Sequence, residues 1–536
     1  MQKLFILLLC IYPLLGNAQY FPVTIAEGSN FQSTSTYADV MNYIKMLEKA
    51  SKHIKTETIA TSIEGRDIPL MVVANPMPKT PRDIGNRIVV YIQANIHAGE
   101  VEGKEASLMF VRDLLKNPNN PLFKNIVLLV CPILNADGNE SISPKNRPWQ
   151  NGPVNGVGVR HNGQMLDLNR DAMKLETPEM VGVVSNVLNR WDPSIVMDCH
   201  TTNGSYHQEP VTFTWMMNPN GNRELINYMR DRMMPWVSTQ LSVKYKTLNC
   251  FYGEFIDQKD YEKGWISYAS EPRYFTNYIG LRNRLSILNE NYVYAPFDER
   301  VYGCYNLIAS VCDYAMQNSK EIKDLLAKAD RETIQIPKTS PAPEFAITYE
   351  GRPTPQWVTI LTYEAEAYTD EQGRERFRKT DRKRTVTVPY IADYYPTSTI
   401  PLPFAYIVRN DKVVTNLLKS HGIQFQTLTD TVTLNVEQFT IDSLKPAPRI
   451  NQGHYNSNIF GKYVKANRLF TTNYVMVKTS QPLGQLAAYL LEPQSDDGLA
   501  FWNFWDRYLV PQWGNNYNPV PVFRITDEKE LGRVKR

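Results

Sequence analysis

The chain has 536 residues, 43% of them hydrophobic and 21% charged, with a formal charge of +3. It can bury a proper core and is long enough for roughly two to four domains. The near-neutral balance argues against a nucleic-acid partner; the one basic cluster, Arg374–Arg384, lies beside Gly373 and reads as a solvated hairpin.

Residues 1–18 read as an export signal. Lys3 gives a positive start, Leu4–Leu15 is largely apolar, and Gly16-Asn17-Ala18 offers a small-residue cleavage site, so the mature chain is expected to begin at Gln19 in the periplasm or medium. No later stretch reaches about 18 consecutive apolar residues, and no membrane span is expected. Five cysteines remain (Cys131, Cys199, Cys250, Cys304 and Cys312), an odd set that is no disulfide framework. Cys131 and Cys199 read as packed thiols, and Cys250 could pair with Cys304 or Cys312.

In chain order, residues 36–56 predict an amphipathic helix (Val40, Ile44, Leu47). Glu57–Ser62 and Pro69–Asn75 predict a hairpin turned by Glu64-Gly65-Arg66-Asp67. Ile88–Ile92 is a β-branched apolar run, hence a buried strand, and Ala106–Leu115 has helical spacing. Asn125–Leu134 is a further strand, ending in Asn135-Ala136-Asp137-Gly138. The Gly-, Asn- and Pro-rich stretch 139–165 is long for a loop in a compact domain, and such loops are usually functional. Thr177-Pro178-Glu179 starts a helix to about Arg190, Ser194–Asp198 is a strand, and a helical stretch covers 221–239. Arg284–Leu288 is a strand, followed by helices over about 298–317 and 319–331.

Strands alternating with helices predict an α/β fold with a mixed, mostly parallel sheet flanked by helices. The expected organisation is an α/β domain over 19–335, a Pro-containing linker at 336–345, a β-rich accessory domain over 346–445 and a C-terminal α/β region over 446–536. Within the accessory part, Lys412–His421 predicts a helix with Asp411 as N-cap and Gly422 as its stop. The aromatic run Phe501–Trp505 reads as a packed helix in preference to a saccharide platform.

Four side chains, His97, Glu100, His200 and Glu290, all follow apolar strands, where open α/β sheets place ligands. Two histidines and a carboxylate are one standard set for a catalytic zinc ion, with the fourth position left to water. His97, Glu100 and His200 are the expected ligands, His207 competes less well for the third place, and Asp198 is the expected partner of a ligating His200. Glu290, at the end of an apolar strand, suits a general base for a metal-bound water. Glu102 and Glu105 read as the outer face of the first helix of this unit. Asn169-Arg170, before a helix, could grip a carboxylate such as a peptide C-terminus.

Over about residues 35–317 these motifs resemble the zinc carboxypeptidase (funnelin) family, and the size and accessory region look like those of its large exported bacterial members. His97-Ala98-Gly99-Glu100 matches the H-x-x-E ligand pair, Asn135-Ala136-Asp137-Gly138 resembles its N-P-D-G turn, and Leu168-Asn169-Arg170 its N-R substrate site. His200 looks like the third ligand and Glu290 like the catalytic Glu. One departure stands out. The family's N-R-x-W-R run, whose last Arg polarises the scissile carbonyl, is Asn146-Arg147-Pro148-Trp149-Gln150 here, which leaves that role to Arg147, Arg160 or another arginine. For the family's mobile Tyr, Tyr268 is the candidate, with Tyr274 and Tyr278 behind it. The resemblance implies a metallocarboxypeptidase with one zinc per chain acting on peptides, cell-wall peptides included. The alternatives are a zinc-dependent deacylase of N-acyl amino acids and an inactive zinc- or carbohydrate-binding homologue.

Overall fold

The structure is a computed structural model that describes residues 21–202, 204–335 and 342–534; the expected signal at 1–18 and residues 336–341 of the expected linker lie outside these. The N-terminal half contains β1 (Ile54–Thr61), β2 (Asp67–Val73), β3 (Ile88–Ala94), β4 (Ile126–Cys131), β5 (Ile195–Thr202), β6 (Val211–Trp215), β7 (Asn249–Phe251), the short β8 (Glu254–Phe255) and β9 (Trp265–Ile266), and β10 (Leu285–Tyr292). Eight of these form one sheet in the order β1-β2-β4-β3-β5-β10-β6-β7. β4, β3, β5 and β10 run parallel, as do β6 and β7. The β1–β2 hairpin adds antiparallel strands at one edge, as expected, and β6 joins β10 antiparallel. The hairpin turns at Gly65, whose φ of 83° suits a residue without Cβ.

β3, β4 and β5 are buried along their whole length, which requires cover on both faces. Helices Glu102–Leu115 and Phe297–Gln335 pack on each other and on β3, and helix Phe275–Leu281 packs on β5 and β10. The two helices expected after β10 follow one another within Phe297–Gln335 and meet at a kink at Asn318 (φ −114°, ψ 16°), where the break was expected. Among the described residues no helix is long and apolar enough to cross a membrane, and Cys131, Cys199, Cys250, Cys304 and Cys312 are free and buried.

Helix Glu102–Leu115 departs from the sequence reading. Glu102 and Glu105 are fully buried, not on an outer face. Glu105 accepts from Thr34 Oγ1 (2.8 Å) and Ser35 N (2.7 Å) of the N-terminal segment, and Glu102 takes Arg300 Nε at 2.5 Å. A periodic pattern shows which face is apolar; it does not show that remote parts of the chain will cover the polar face and pair with it.

The C-terminal half contains β11 (Glu344–Pro353), β12 (Val358–Thr369), β13 (Glu375–Val388), β14 (Tyr390–Pro401), β15 (Ala405–Arg409), β16 (Gln426–Thr427), β17 (Val432–Pro446), β18 (Ser457–Phe470), β19 (Tyr474–Lys478) and β20 (Val522–Ile525). β11 and β14 form a sheet with β9 and β8 of the N-terminal half, β12 and β13 form a two-stranded arm, and six strands form a sheet in the order β16-β19-β15-β20-β17-β18. The expected divide at 445/446 falls at the tip of the β17–β18 hairpin, so strands on both sides of it share one sheet. Residues 447–456 are that hairpin's loop. Helix Lys412–His421 starts and stops as expected, with Asp411 accepting from Val413 N and Gly422 in the left-handed region. Trp502 and Trp505 are packed, in turns before a short helix. One buried apolar cluster runs through both halves, from Val40 and Tyr91 to Tyr406 and Val522.

Candidate metal centre and active site

β3 ends at Ala94, and Asn95 turns the chain with φ 63°, a left-handed conformation that Asn tolerates. Its Nδ2 donates to Ala98 O at 3.3 Å. That turn presents His97 and Glu100. Gly99 between them is required by close approach, since a Cβ there would stand 2.7 Å from Arg147 Cδ and 3.0 Å from Gly158 O.

β5 and β10 run further than their apolar runs suggested, so His200 and Glu290 lie within strands, and the register pairs them with each other. The extensions are polar and bond across the sheet: Asn289 Nδ2 donates to Thr212 O (3.2 Å) and Asn291 Nδ2 to His200 O (3.3 Å). Asp198 and His200, two apart on one strand, face the same way. Asp198 Oδ2 is 2.8 Å from His200 Nε2, and its Oδ1 accepts from Gln93 Nε2 at 3.1 Å.

His97 Nδ1, Glu100 Oε2 and His200 Nδ1 form a triangle with sides of 3.1, 3.0 and 3.2 Å. Ligand atoms about 2.0–2.1 Å from a tetrahedral zinc ion stand about 3.3 Å apart, so the three fit one ion closely. The other ring nitrogens face carboxylates: His97 Nε2 lies 3.0 Å from Asp167 Oδ1, and His200 Nε2 is on Asp198. Such partners fix the tautomer that leaves Nδ1 free to bind a metal. The expected competitor His207 is not part of this triad.

Glu100 is buried, which works against its charge, but His97, Arg147 and His200 hold its carboxyl well below the usual range. Burial also opposes a charge on His200, and Asp198 and Glu100 outweigh it, holding the imidazole well above its ordinary value. Without a cation His200 therefore carries a proton near neutrality, and a metal must displace it. Zinc affinity is expected to climb with pH as that displacement gets easier. Calorimetric titration in buffers of different ionisation enthalpy should show proton release on binding; binding without release would contradict this.

Glu290 faces the same cleft. Burial pushes its carboxyl up to about 8, with Glu100 adding to the rise and His200 and the arginines opposing it. The cleft, about 600 Å³, is lined by the triad, Glu290, Arg147, Arg160, Asn169, Arg170, Tyr252, Tyr268 and Tyr274. A larger groove of about 820 Å³ runs along Met316–Arg331 and holds none of these groups.

The departure at Gln150 has a structural counterpart. Gln150 Oε1 accepts from Arg147 Nε (2.8 Å), Arg147 Nη1 donates to Glu100 Oε1 (2.9 Å) and Nη2 to Thr201 O (2.8 Å). Arg147 thus reaches the centre through the ligand carboxylate. Arg160 donates to Asp167 Oδ2 (2.8 Å) and brings Nη1 to 3.3 Å from His97 Nδ1. Arg170 lies over the Tyr274 ring, 4.4 Å from its centroid, and donates to Asn169 O at 2.8 Å. Asn169 Oδ1 accepts from Phe275 N, which leaves its amide nitrogen as the donor it can present.

Of the three tyrosine candidates, Tyr268 and Tyr274 line the cleft. Tyr268 donates to Asn277 Oδ1 at 3.1 Å. Tyr278 is buried elsewhere, on His421 Nδ1 at 2.8 Å, because its helix turns it toward the C-terminal half. The sequence reading missed Asp167 and Tyr252. Both sit in segments without periodicity, and the one local signal was the Leu-Asp-Leu-Asn-Arg run holding Asp167. The C-terminal half also reaches the centre: Gln452 Oε1 accepts from Asp167 N at 2.7 Å.

Residues 40–192 match the model of the zinc carboxypeptidase family. No curated relative matches the chain. Among solved structures, a metallo-carboxypeptidase from Burkholderia cenocepacia is 15% identical, with 52% of this chain and 68% of that one covered and a TM-score of 0.38. For a metallo-carboxypeptidase from Pseudomonas aeruginosa the figures are 16%, 53%, 68% and 0.38, and for carboxypeptidase A from Helicoverpa armigera 16%, 54%, 75% and 0.39. The family match holds His97, Glu100, Asn169 and Arg170 and stops short of His200 and Glu290, which the sheet register brings to the same place. Over residues 40–192 the chain is therefore similar to the zinc carboxypeptidase family.

Proposed function

We propose that this chain is a zinc-dependent carboxypeptidase that removes C-terminal residues from peptides, cell-wall peptides among them. The observation that carries the reading is the convergence of His97, Glu100 and His200 within 3.0–3.2 Å of one another, beside Glu290. One zinc ion held by these three would act as a Lewis acid and activate water. Glu290, raised by burial, suits taking a proton from that water and handing it to the leaving amine. Arg170 and the Asn169 amide would bind the substrate's terminal carboxylate, with Tyr268 and Tyr274 along the cleft wall. Arg147 holds Glu100 in place, and Arg160, the arginine nearest the metal-facing side of His97, is placed to meet charge developing on the scissile carbonyl.

Arg170→Leu tests the carboxylate assignment. A charge-assisted hydrogen bond contributes about 1.5–3 kcal/mol, so kcat/KM on free-acid peptides is expected to fall roughly 10–150-fold, with little change on C-terminal amides. An equal loss on both would remove Arg170 from that role. The pattern in residues 1–18 supports export, and N-terminal sequencing of secreted protein is expected to begin at Gln19; a retained Met1 would contradict it.

A further inference from the structure

A second cluster of metal-ligand side chains lies apart from the triad. His207, Glu209 and Cys250 are all buried, and each offers a ligand atom within 4.8 Å of the others'. His207 Nδ1 makes no hydrogen bond, although it is buried and stands 3.5 Å from Glu209 Oε2. A buried ring nitrogen without a partner is costly, and its neighbours here are a carboxylate and a thiol. His207 is Glu209's one ion-pair partner among the described residues. A thiolate, a neutral imidazole and a carboxylate carry two negative charges, which a divalent ion neutralises.

The location gives the cluster a purpose. Cys250 is on β7, the edge strand of the eight-stranded sheet, in register with Thr212. His207 and Glu209 lie in the segment between β5 and β6, which is fastened to β12: Gln208 N donates to Leu361 O (2.7 Å) and Leu361 N to Glu209 Oε1 (2.8 Å). An ion here would tie the sheet edge to the base of the β12–β13 arm. Tyr252, two residues beyond Cys250, lines the catalytic cleft.

We propose that His207, Glu209 and Cys250 form a second, structural site for a zinc-class divalent ion, with a fourth position for water. The donor types suit zinc, since hard ions such as calcium and magnesium take oxygen ligands only. Burial keeps the Cys250 thiol protonated until a cation arrives; coordination releases that proton and leaves the thiolate on the metal. The proposal does not depend on peptide hydrolysis.

Cobalt separates the two centres, because only this one contains sulfur. Full-length protein stripped by a chelator and reloaded with Co²⁺ is expected to show a near-ultraviolet thiolate-to-cobalt charge-transfer band. His97→Ala should keep the band, and Cys250→Ser should lose it together with one equivalent of bound zinc by elemental analysis. Cobalt-loaded wild type without the band, or Cys250→Ser binding as much zinc as wild type, would overturn the site. Should Cys250→Ser fail to fold, the wild-type and His97→Ala spectra decide alone.

Discussion

Glu290→Gln is expected to lower peptide hydrolysis roughly 10²–10⁴-fold, the usual contribution of a positioned general acid–base, while zinc content stays at the wild-type level. Glu290 is outside the ligand triangle, and the substitution keeps its volume, so the centre should still assemble. What disappears is a group that can accept a proton at the cleft face of β10. The same residue should set the acidic limb of the pH profile, because only its ionised form can act as a base. Burial and Glu100 put its midpoint at about 8 without a cation. A divalent ion on the triad adds positive charge on the same side as His200 and Arg147, so in the loaded enzyme the limb should lie lower. Near-normal turnover by Glu290→Gln, or an unchanged acidic limb, would remove the residue from the mechanism.

Arg300→Met is expected to cost about 3–5 kcal/mol of stability, because it leaves a buried charge without its partner. Arg300 and Glu102 are both fully buried and joined at 2.5 Å. Arg300 also donates to Asn151 O (2.7 Å), Gly152 O (2.7 Å) and Ala295 O (2.5 Å). It thereby holds the end of the loop that carries Arg147 and Gln150 against the end of β10. Glu102 further accepts from the Thr201 hydroxyl, and Thr201 N donates to Glu100 Oε2 at 3.1 Å, so the pair connects to the metal ligands. Denaturant midpoints would measure the loss. Glu102→Met combined with Arg300→Met should cost less than Arg300→Met alone, since no charge is then stranded; a single substitution within about 1 kcal/mol of wild type would contradict the account.

The side chains of the candidate centre were largely legible in the sequence because each follows a strand that announces itself. Val89–Ile92 leads to His97 and Glu100, Ile195–Met197 to His200, and Leu285–Leu288 to Glu290. Strand ends of one parallel sheet converge, so four scattered residues could be grouped before any coordinates. The strands' true lengths were not legible, since Thr201, Thr202, Asn289 and Asn291 break the apolar pattern and take their partners from chain remote in sequence or from the next strand. Asp167 and His97 are 70 apart in sequence, and no local spacing links a loop carboxylate to a histidine that distant. The role of Gln150 depends on where the Arg147 guanidinium lands, and the burial of Glu102 and Glu105 depends on a helix and an N-terminal segment that fold over them. In the C-terminal half, nothing local shows that β17 and β18 are the two arms of one hairpin, or that β14 pairs with β9.

The centre at His97, Glu100 and His200 is proposed to remove residues from free peptide C-termini. The most direct test is mass spectrometry of a mixed pool of peptides, each present as free acid and as C-terminal amide, incubated with zinc-loaded protein with and without a chelator. Stepwise loss of single C-terminal residues from the free acids is expected, abolished by the chelator, with the amides largely spared. Untouched free acids with zinc confirmed in the protein, or internal cleavage of acids and amides alike, would contradict it.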